Sequence, residues 1–332
     1  MDTDGPVKHS MAESKEDSVG VGFRVAVVGC GEHFLKSHYP FLKGQVTVVV
    51  EPSSKFSPAM LFGSGVVHRR SLEYALLNDH KLFEAVVICS PDAYHANQLS
   101  LCVHHGKHVF VEKPLATSNR ELDTVVKPTL LEAQKRNLVV MCCHPRPYDP
   151  FLHAYLAKYP RTTHTPTKSL TLEFFYHRPS HPDKHLSLLH DHWSHEMDLL
   201  RVLLPSREVP KASEFTVNVC SPYRYEAEWF DPTEGWVDPT DGFRVTFRGT
   251  RVIDQSDYHE LIIEDGRVAC CKSGKVYQTD GKVVQLEPSS YDAMFETLWQ
   301  TFQGRCVYGL RPHLYHRYMD HLLRCHHFPA LP

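Results

Sequence analysis

The pattern of apolar positions changes character once along the chain. In the first half, short runs of branched apolar residues recur: "FRVAVVGCG", "QVTVVVEP", "AVVICSP", "HVFVEKP" and "LVVMCCHP". Runs of this length that end in glycine, proline or a polar group match strands buried on both faces, as in a parallel sheet. Helical stretches such as "SNRELDTVVKPTLLEAQKRN" lie between some of them. Parallel strands need crossovers of that kind, so residues 21–149 are expected to form a doubly wound α/β domain.

After "RPYDP" the spacing becomes alternating. "KSLTLEFFYHR" is followed by an amphipathic helix and then by "EFTVNVCS", "GFRVTFRGTRVI", "YHELIIEDGRVACC" and "KVYQTDGKVVQLE". Strands in succession without helices between them predict a mainly antiparallel open sheet, and residues 150–332 read as an α+β domain. "SSYDAMFETLWQTFQG" and "RPHLYHRYMDHLLRC" read as closing helices. Residues 1–20 are polar, lack the apolar core of a signal peptide and are expected to be a disordered extension.

Composition narrows the partners. A chain of 332 residues suits about two domains. A net charge of -3 and the absence of a basic stripe with interleaved aromatics argue against nucleic acid. No apolar run is long enough to span a bilayer. The ten cysteines show no C-x-x-C spacing and several sit inside apolar runs, as buried small hydrophobes do, so a reducing cytoplasm is expected.

Candidate chemistry begins where the first strand ends, in Gly29-Cys30-Gly31-Glu32-His33-Phe34. A glycine turn there lets backbone N–H groups approach a pyrophosphate, although Phe34 stands where G-x-G-x-x-G has its third glycine. Taken alone, the turn is equally an ordinary strand-to-helix connection. Glu51, at the end of the next strand, is placed to accept the ribose hydroxyls of NAD and to repel a 2′-phosphate. "CSPDAYH" and "VEKPLA" add polar groups at further strand ends, where open α/β sheets bind ligands. Together these favour a Rossmann-type dinucleotide site.

"EAVVICSPDAYHANQ" followed by "GKHVFVEKPLATS" resembles the glucose–fructose oxidoreductase/inositol dehydrogenase (Gfo/Idh/MocA) family. The likeness extends to the "RPYDP" exit and the antiparallel second half. It implies that Gly29 and Gly31 lie under the pyrophosphate, with Glu32, His33 and Phe34 completing that turn, and that Glu51 holds the adenosine ribose. It puts Ser90, Pro91 and His95 on the nicotinamide side, and Glu112 and Lys113 beside the nicotinamide ribose and the substrate. A cis Lys113–Pro114 bond and a homodimer or homotetramer through the second sheet are further implications.

The amphipathic helix of the second half carries "HDHWSHEMD". Asp191, His195 and Asp198 match the family's D-x-G-x-H-x-x-D spacing, with Trp193 in place of the glycine. Helical projection puts these three on one stripe and Trp193, Met197, Leu200 and Leu204 roughly opposite, as an anchoring face. A histidine beside a carboxylate suits removal of a hydroxyl proton. His195 is therefore assigned as acid/base, Asp191 as its orienter or a substrate ligand, and Lys113 as the electrostatic partner. His190, His144, Arg146 and Tyr148 are assigned to substrate, with a structural hinge as the alternative for "HPRPYD". A metal held by His190, Asp191, His192 and His195 is the competing reading, but helical projection separates these groups and no metal is expected. A solvated helix start is the other. His326 and His327 read as surface or structural residues.

The expectation is an NAD(P)-dependent oxidoreductase, NAD favoured through Glu51, acting on a hydroxyl or ketone of a sugar, polyol or sugar derivative. A non-catalytic cofactor-binding sensor of the same fold is the alternative.

Overall fold

The computed structural model describes residues 23–42, 44–53, 58–149, 152, 155–156, 169–177, 188–204, 210–231, 242–252, 261–264, 269–273, 276–279, 282–285, 294–298 and 312–329. The expected extension at residues 1–20 lies outside them.

Six parallel strands form the first sheet: β1 (Val25–Val28), β2 (Val46–Val50), β3 (Val67–Arg69), β4 (Ala85–Ile88), β5 (His108–Val111) and β6 (Val140–Cys142). Their order is β3-β2-β1-β4-β5-β6. The chain works outward from β1 on one side and then restarts beyond it with β4. That reversal opens a crevice at the carboxyl ends of β1 and β4, the place where such sheets bind ligands. β1 and β4 are buried along their whole length, as their unbroken apolar runs require.

The second sheet has eight strands: β7 (Ser169–His177), β8 (Thr216–Cys220), β9 (Arg224–Asp231), β10 (Phe243–Val252), β11 (Leu261–Glu264), β12 (Ala269–Ser273), β13 (Val276–Thr279) and β14 (Lys282–Gln285). The order is β14-β13-β12-β11-β7-β10-β9-β8, and every pairing is antiparallel except β7 with β10. The expected fold class holds, with one parallel pair inside an otherwise antiparallel sheet.

The His-rich helix (Leu188–Leu203) lies on this sheet. Its anchoring stripe is the expected one: Trp193, Met197, Leu200 and Leu204 are all buried. The Trp193 ring stands edge-on to Phe215 at 5.0 Å and to Phe247 at 5.6 Å, and its Nε1–H donates to the His327 carbonyl at 2.8 Å. A buried indole is stable only when its N–H finds such a partner. Trp193 therefore fills the core between the helix and the sheet.

The closing helix (Pro312–His326) packs against the His-rich helix and joins the two cores. Tyr318 and Leu322 enter the first, and Cys325 enters the second. Residues 294–298 also return to the first core, where Phe295 stacks on Phe41 at 4.9 Å. Among the described residues no helix is long and apolar enough to cross a membrane. Cys30, Cys89, Cys102, Cys142, Cys143, Cys220 and Cys325 carry free thiols.

Candidate active site

Gly29 makes the crevice possible. Its φ is +83°, and a Cβ there would stand 2.7 Å from the Ser90 nitrogen and 2.8 Å from the Cys89 carbonyl. No side chain fits that gap or that conformation. Gly31 precedes the helix Glu32–Ser37 with open space where a Cβ would be, so the backbone of the turn can be approached closely. Glu51 reaches back to this turn: Oε2 accepts the Cys30 N–H at 2.9 Å and Oε1 accepts the Ser53 N–H at 2.9 Å. The carboxylate is thus fixed at the lip of the crevice.

The remaining residues of the turn divide. The Phe34 ring is buried against Tyr39 and Phe62, so only its backbone lies near the turn. Glu32 is exposed and pairs with Lys36 one helical turn on, aimed at solvent. The half-exposed His33 is held through Nε2 by Glu112 at 2.9 Å.

The ends of β4 and β5 are tied by His95, which is buried and stands between two backbone carbonyls. Nε2 lies 2.8 Å from the Ser90 oxygen and Nδ1 lies 2.7 Å from the Pro114 oxygen. The ring is a strut across the strand ends, and its contact with any ligand passes through the backbone it fixes. The Lys113–Pro114 bond is cis, as the resemblance implied. Glu112 is 6% exposed and is met by the imidazoles of His33 and of His38, at 2.5 Å for the latter. Burial pushes its carboxyl up, but these two imidazoles overcome the effect and hold it well below the usual carboxylate range. Glu112 is a buried clamp between β5 and the glycine-turn helix, while Lys113 stays partly exposed beside it.

Beyond β6, a tight turn in which His144 N–H donates to the Cys142 carbonyl leads into Arg146–Tyr148. The Arg146 guanidinium lies over the Phe174 ring of β7 at 4.6 Å, bringing a cation to the second sheet. Tyr148 is partly buried against the first core.

His195 projects from the His-rich helix toward this group, with Nδ1 buried and without a hydrogen-bond partner. Its ring stands edge-on to His144 at 5.4 Å and tilted to His192 at 6.2 Å. Burial first, then the charges of Lys113, His144, Arg146 and His192, hold it well below the ordinary imidazole value of 6.5. His195 is a neutral imidazole in a cationic surrounding. Lys113, Arg146 and His195, far apart in sequence, thus converge. His190 and Asp191 lie in the helix, but their side chains are outside the described residues.

Asp198 corrects the expected working stripe. It is 2% exposed and turned under the closing helix, with Oδ1 accepting from His321 Nε2 at 2.6 Å and from Arg201 Nε at 3.2 Å, and Oδ2 3.5 Å from His144 Nδ1. Three residues turn a helix through about 300°, so Asp198 lies some 60° around from His195. That is enough to leave one at the crevice and bury the other. Burial raises its carboxyl, but Arg201 and then His144 and His321 hold it well below the usual range. His326 is also buried, stacked on His144 at 5.1 Å. Sequence reasoning missed His38, His321 and Cys325. Tyr318, His321, Leu322 and Cys325 recur at helical spacing, a signal that marks a buried face without naming its partner.

Among the described residues, three clusters bring potential metal ligands within 4.8 Å: Cys142/His144/His326, His33/His38/Glu112 and Asp198/His321/Cys325. The last two are already joined internally by hydrogen bonds. In the first, Leu115 N–H donates to His326 Nδ1 at 3.3 Å, and burial keeps that ring neutral. Its own proton then sits on Nε2, where a metal would need a lone pair.

Residues 23–144 match the family model described as "Oxidoreductase family, NAD-binding Rossmann fold". The chain is 31% identical over 138 residues to 4-carboxy-2-hydroxymuconate-6-semialdehyde dehydrogenase of Sphingobium sp., covering 40% of this chain and 41% of that protein. It is 32% identical over 122 residues to the NADP(+)-dependent scyllo-inositol 2-dehydrogenase of Bacillus subtilis, covering 36% and 35%. The chain thus spans well under half the length of these relatives. A 3-ketoreductase from Actinomadura kijaniata, solved with TDP-benzene and NADP, shares the fold at a TM-score of 0.66 and 15% identity over 92% of this chain and 95% of that one. Over residues 23–144 the chain is thus similar to the NAD-binding Rossmann fold of the Gfo/Idh/MocA oxidoreductases.

Proposed function

We propose that the protein is an NAD(P)-dependent dehydrogenase/reductase that moves a hydride between nicotinamide and a CH–OH or ketone carbon of a sugar, polyol or sugar derivative. The observation that carries this reading is the neutral His195, ringed by Lys113 and Arg146 beside the crevice of the first sheet. Gly29, Gly31 and Glu51 would hold the adenosine and pyrophosphate end of the cofactor. Ser90, Pro91 and the backbone fixed by His95, Glu112 and Lys113 would border its other end. The bound nicotinamide accepts or supplies the hydride. In oxidation His195 takes the hydroxyl proton of the substrate, and in reduction it returns one. A neutral imidazole is ready for the first task, and Lys113 steadies the charge that develops on the substrate oxygen. Arg146, Tyr148, His190 and Asp191 are proposed to contact the substrate. The Sphingobium relative's name includes a carboxylate, which an Arg146–Lys113 pair of cations would suit.

The test is reduction of NAD and NADP by purified protein against a panel of sugars, polyols and their acids. His195→Ala and Lys113→Ala should keep cofactor affinity and lose turnover by about 10²–10⁴-fold. Tight cofactor binding with no turnover on any member, and no effect of either substitution, would favour a non-catalytic sensor. A cytoplasmic homo-oligomer, paired through the second sheet, completes the proposal.

A further inference from the structure

His144 is a second imidazole at the site, and the chemistry above gives it no task. Its side chain is 2% exposed, yet neither ring nitrogen has a hydrogen-bond partner. What it has instead is a fixed place. One face stacks on His326 at 5.1 Å with the planes 20° apart, and Nδ1 lies 3.5 Å from Asp198 Oδ2. Asp198 is pinned by His321 and Arg201, and His326 by the Leu115 amide. The ring also meets His195, at 5.4 Å and an interplanar angle of 71°.

We propose that His144 is a positioning residue whose ring, fixed by Asp198 and His326, holds the His195 imidazole in its orientation for proton transfer and sets a second imidazole against it. The proposal rests on the reading of His195 as the acid/base. The geometry favours it because His195 Nδ1 has no hydrogen bond to orient the ring, so packing must do so. Among the described residues the edge of His144 is the ring contact that comes from outside the helix of His195, whereas His192 comes from within it. The charged groups that face His195 are Lys113 from the end of β5, Arg146 and His144 from the exit of β6, and His192 from its own helix. Behind His144 stand Asp198 and Arg201 of the His-rich helix and His321 and His326 of the closing helix. His144 is thus one of the groups that oppose proton uptake by His195.

The experiment follows the imidazole titrations of the full-length protein by NMR, with His195→Gln used to assign the His195 resonance. In the wild type, His195 should stay neutral to well below 6.5, its ordinary value. In His144→Gln its midpoint should rise, since His144 is one of the groups that hold it down. Kinetics with any substrate from the panel should show kcat of His144→Gln reduced about tenfold, with KM changed by no more than about twofold. His144→Phe restores the ring edge without the charge. It should recover part of that kcat while keeping the raised midpoint. A wild-type His195 that titrates at 6.5 or above overturns the proposal even if no variant folds. So does a folded His144→Gln with an unmoved midpoint, or a His144→Phe that recovers no turnover. Loss of the acid/base reading itself would show differently, as full turnover in His195→Gln.

Discussion

At the proposed cofactor end of the site the polar groups are backbone amides and single carboxylates at strand ends, fixed by the sheet that carries them. Cys30 and Ser53 turn their N–H groups to the crevice because β1 and β2 stop there, and Glu51 is held by both, while the Gly29 N–H still donates to the Val50 carbonyl. At the proton-transfer end the polar groups are side chains buried against one another, from β6, the His-rich helix and the closing helix. Asp198, His144, His321 and His326 depend on partners more than a hundred residues away or on the far side of a helix. Local geometry can be lost one residue at a time with local effect. A buried network fails as a unit, since each group left behind is an unpaired polar atom in a low dielectric.

The largest expected difference follows from that contrast. Asp198→Ala removes the one carboxylate that Arg201, His321 and His144 share. Breaking a buried charge pair costs about 3–5 kcal/mol, and the partly exposed Arg201 can turn to water, so the lower end applies. Urea unfolding should show about 3 kcal/mol lost. A loss near that of a surface ion pair, below about 1 kcal/mol, would mean that the network is not a structural unit.

Gly29→Ala is the corresponding change at the cofactor end. It forces a side chain into a positive φ and onto the Ser90 and Cys89 backbone, at a cost of about 2 kcal/mol. Because the clash spreads β1 from β4, NAD binding should weaken at least as much as stability, as measured by fluorescence titration. Unchanged NAD affinity in the folded variant would remove the crevice from the cofactor site.

Acid separates the two ends. The folded-state values of His195, His321 and His326 all lie below the ordinary 6.5, with burial the largest cause in each. Between the folded and unfolded values the unfolded chain carries a proton that the folded one does not, so stability falls as pH drops below 6.5. Each such group contributes up to about 1.4 kcal/mol per pH unit. Three of them belong to the proton-transfer end, and among the described residues only His108 shifts this way in the first sheet. Glu112 and Asp198 add their loss only lower, as pH falls through the carboxylate range. Melting temperature should therefore decline from neutral pH to about pH 5, and His326→Gln should flatten the decline where His108→Gln flattens it less. Equal flattening by both would break the contrast.

The same division governs what the sequence discloses. The first sheet, Gly29, Glu51 and the Lys113–Pro114 turn are legible because strand ends and their punctuation are local. The anchoring of Trp193, Met197, Leu200 and Leu204 is legible because helical period is local too. Asp198 was placed on the wrong side because projection gives an angle around a helix and not what packs there. The closing helix decides that, through His321, from a segment more than a hundred residues away. The parts of His95 as a strut and of Glu112 as a clamp are not legible, since a sequence shows a polar side chain at a strand end without showing its partner.

The smallest expected effect is on cofactor choice, and it asks whether the cofactor end recognises as locally as it is built. Glu51→Gln keeps an acceptor for one turn amide and removes the negative charge. An ionised hydrogen-bond partner is worth about 1.5–3 kcal/mol, so NAD affinity should fall by about ten- to a hundredfold. NADP gains from the lost repulsion, and the preference between the two should move toward NADP by at least that ratio. Parallel titrations with NAD and NADP measure it, with melting temperature as the control for the Cys30 and Ser53 amides. A drop in melting temperature with no change in preference would make Glu51 a brace for the glycine turn, like Glu112 beside it, and leave the choice of cofactor to other residues.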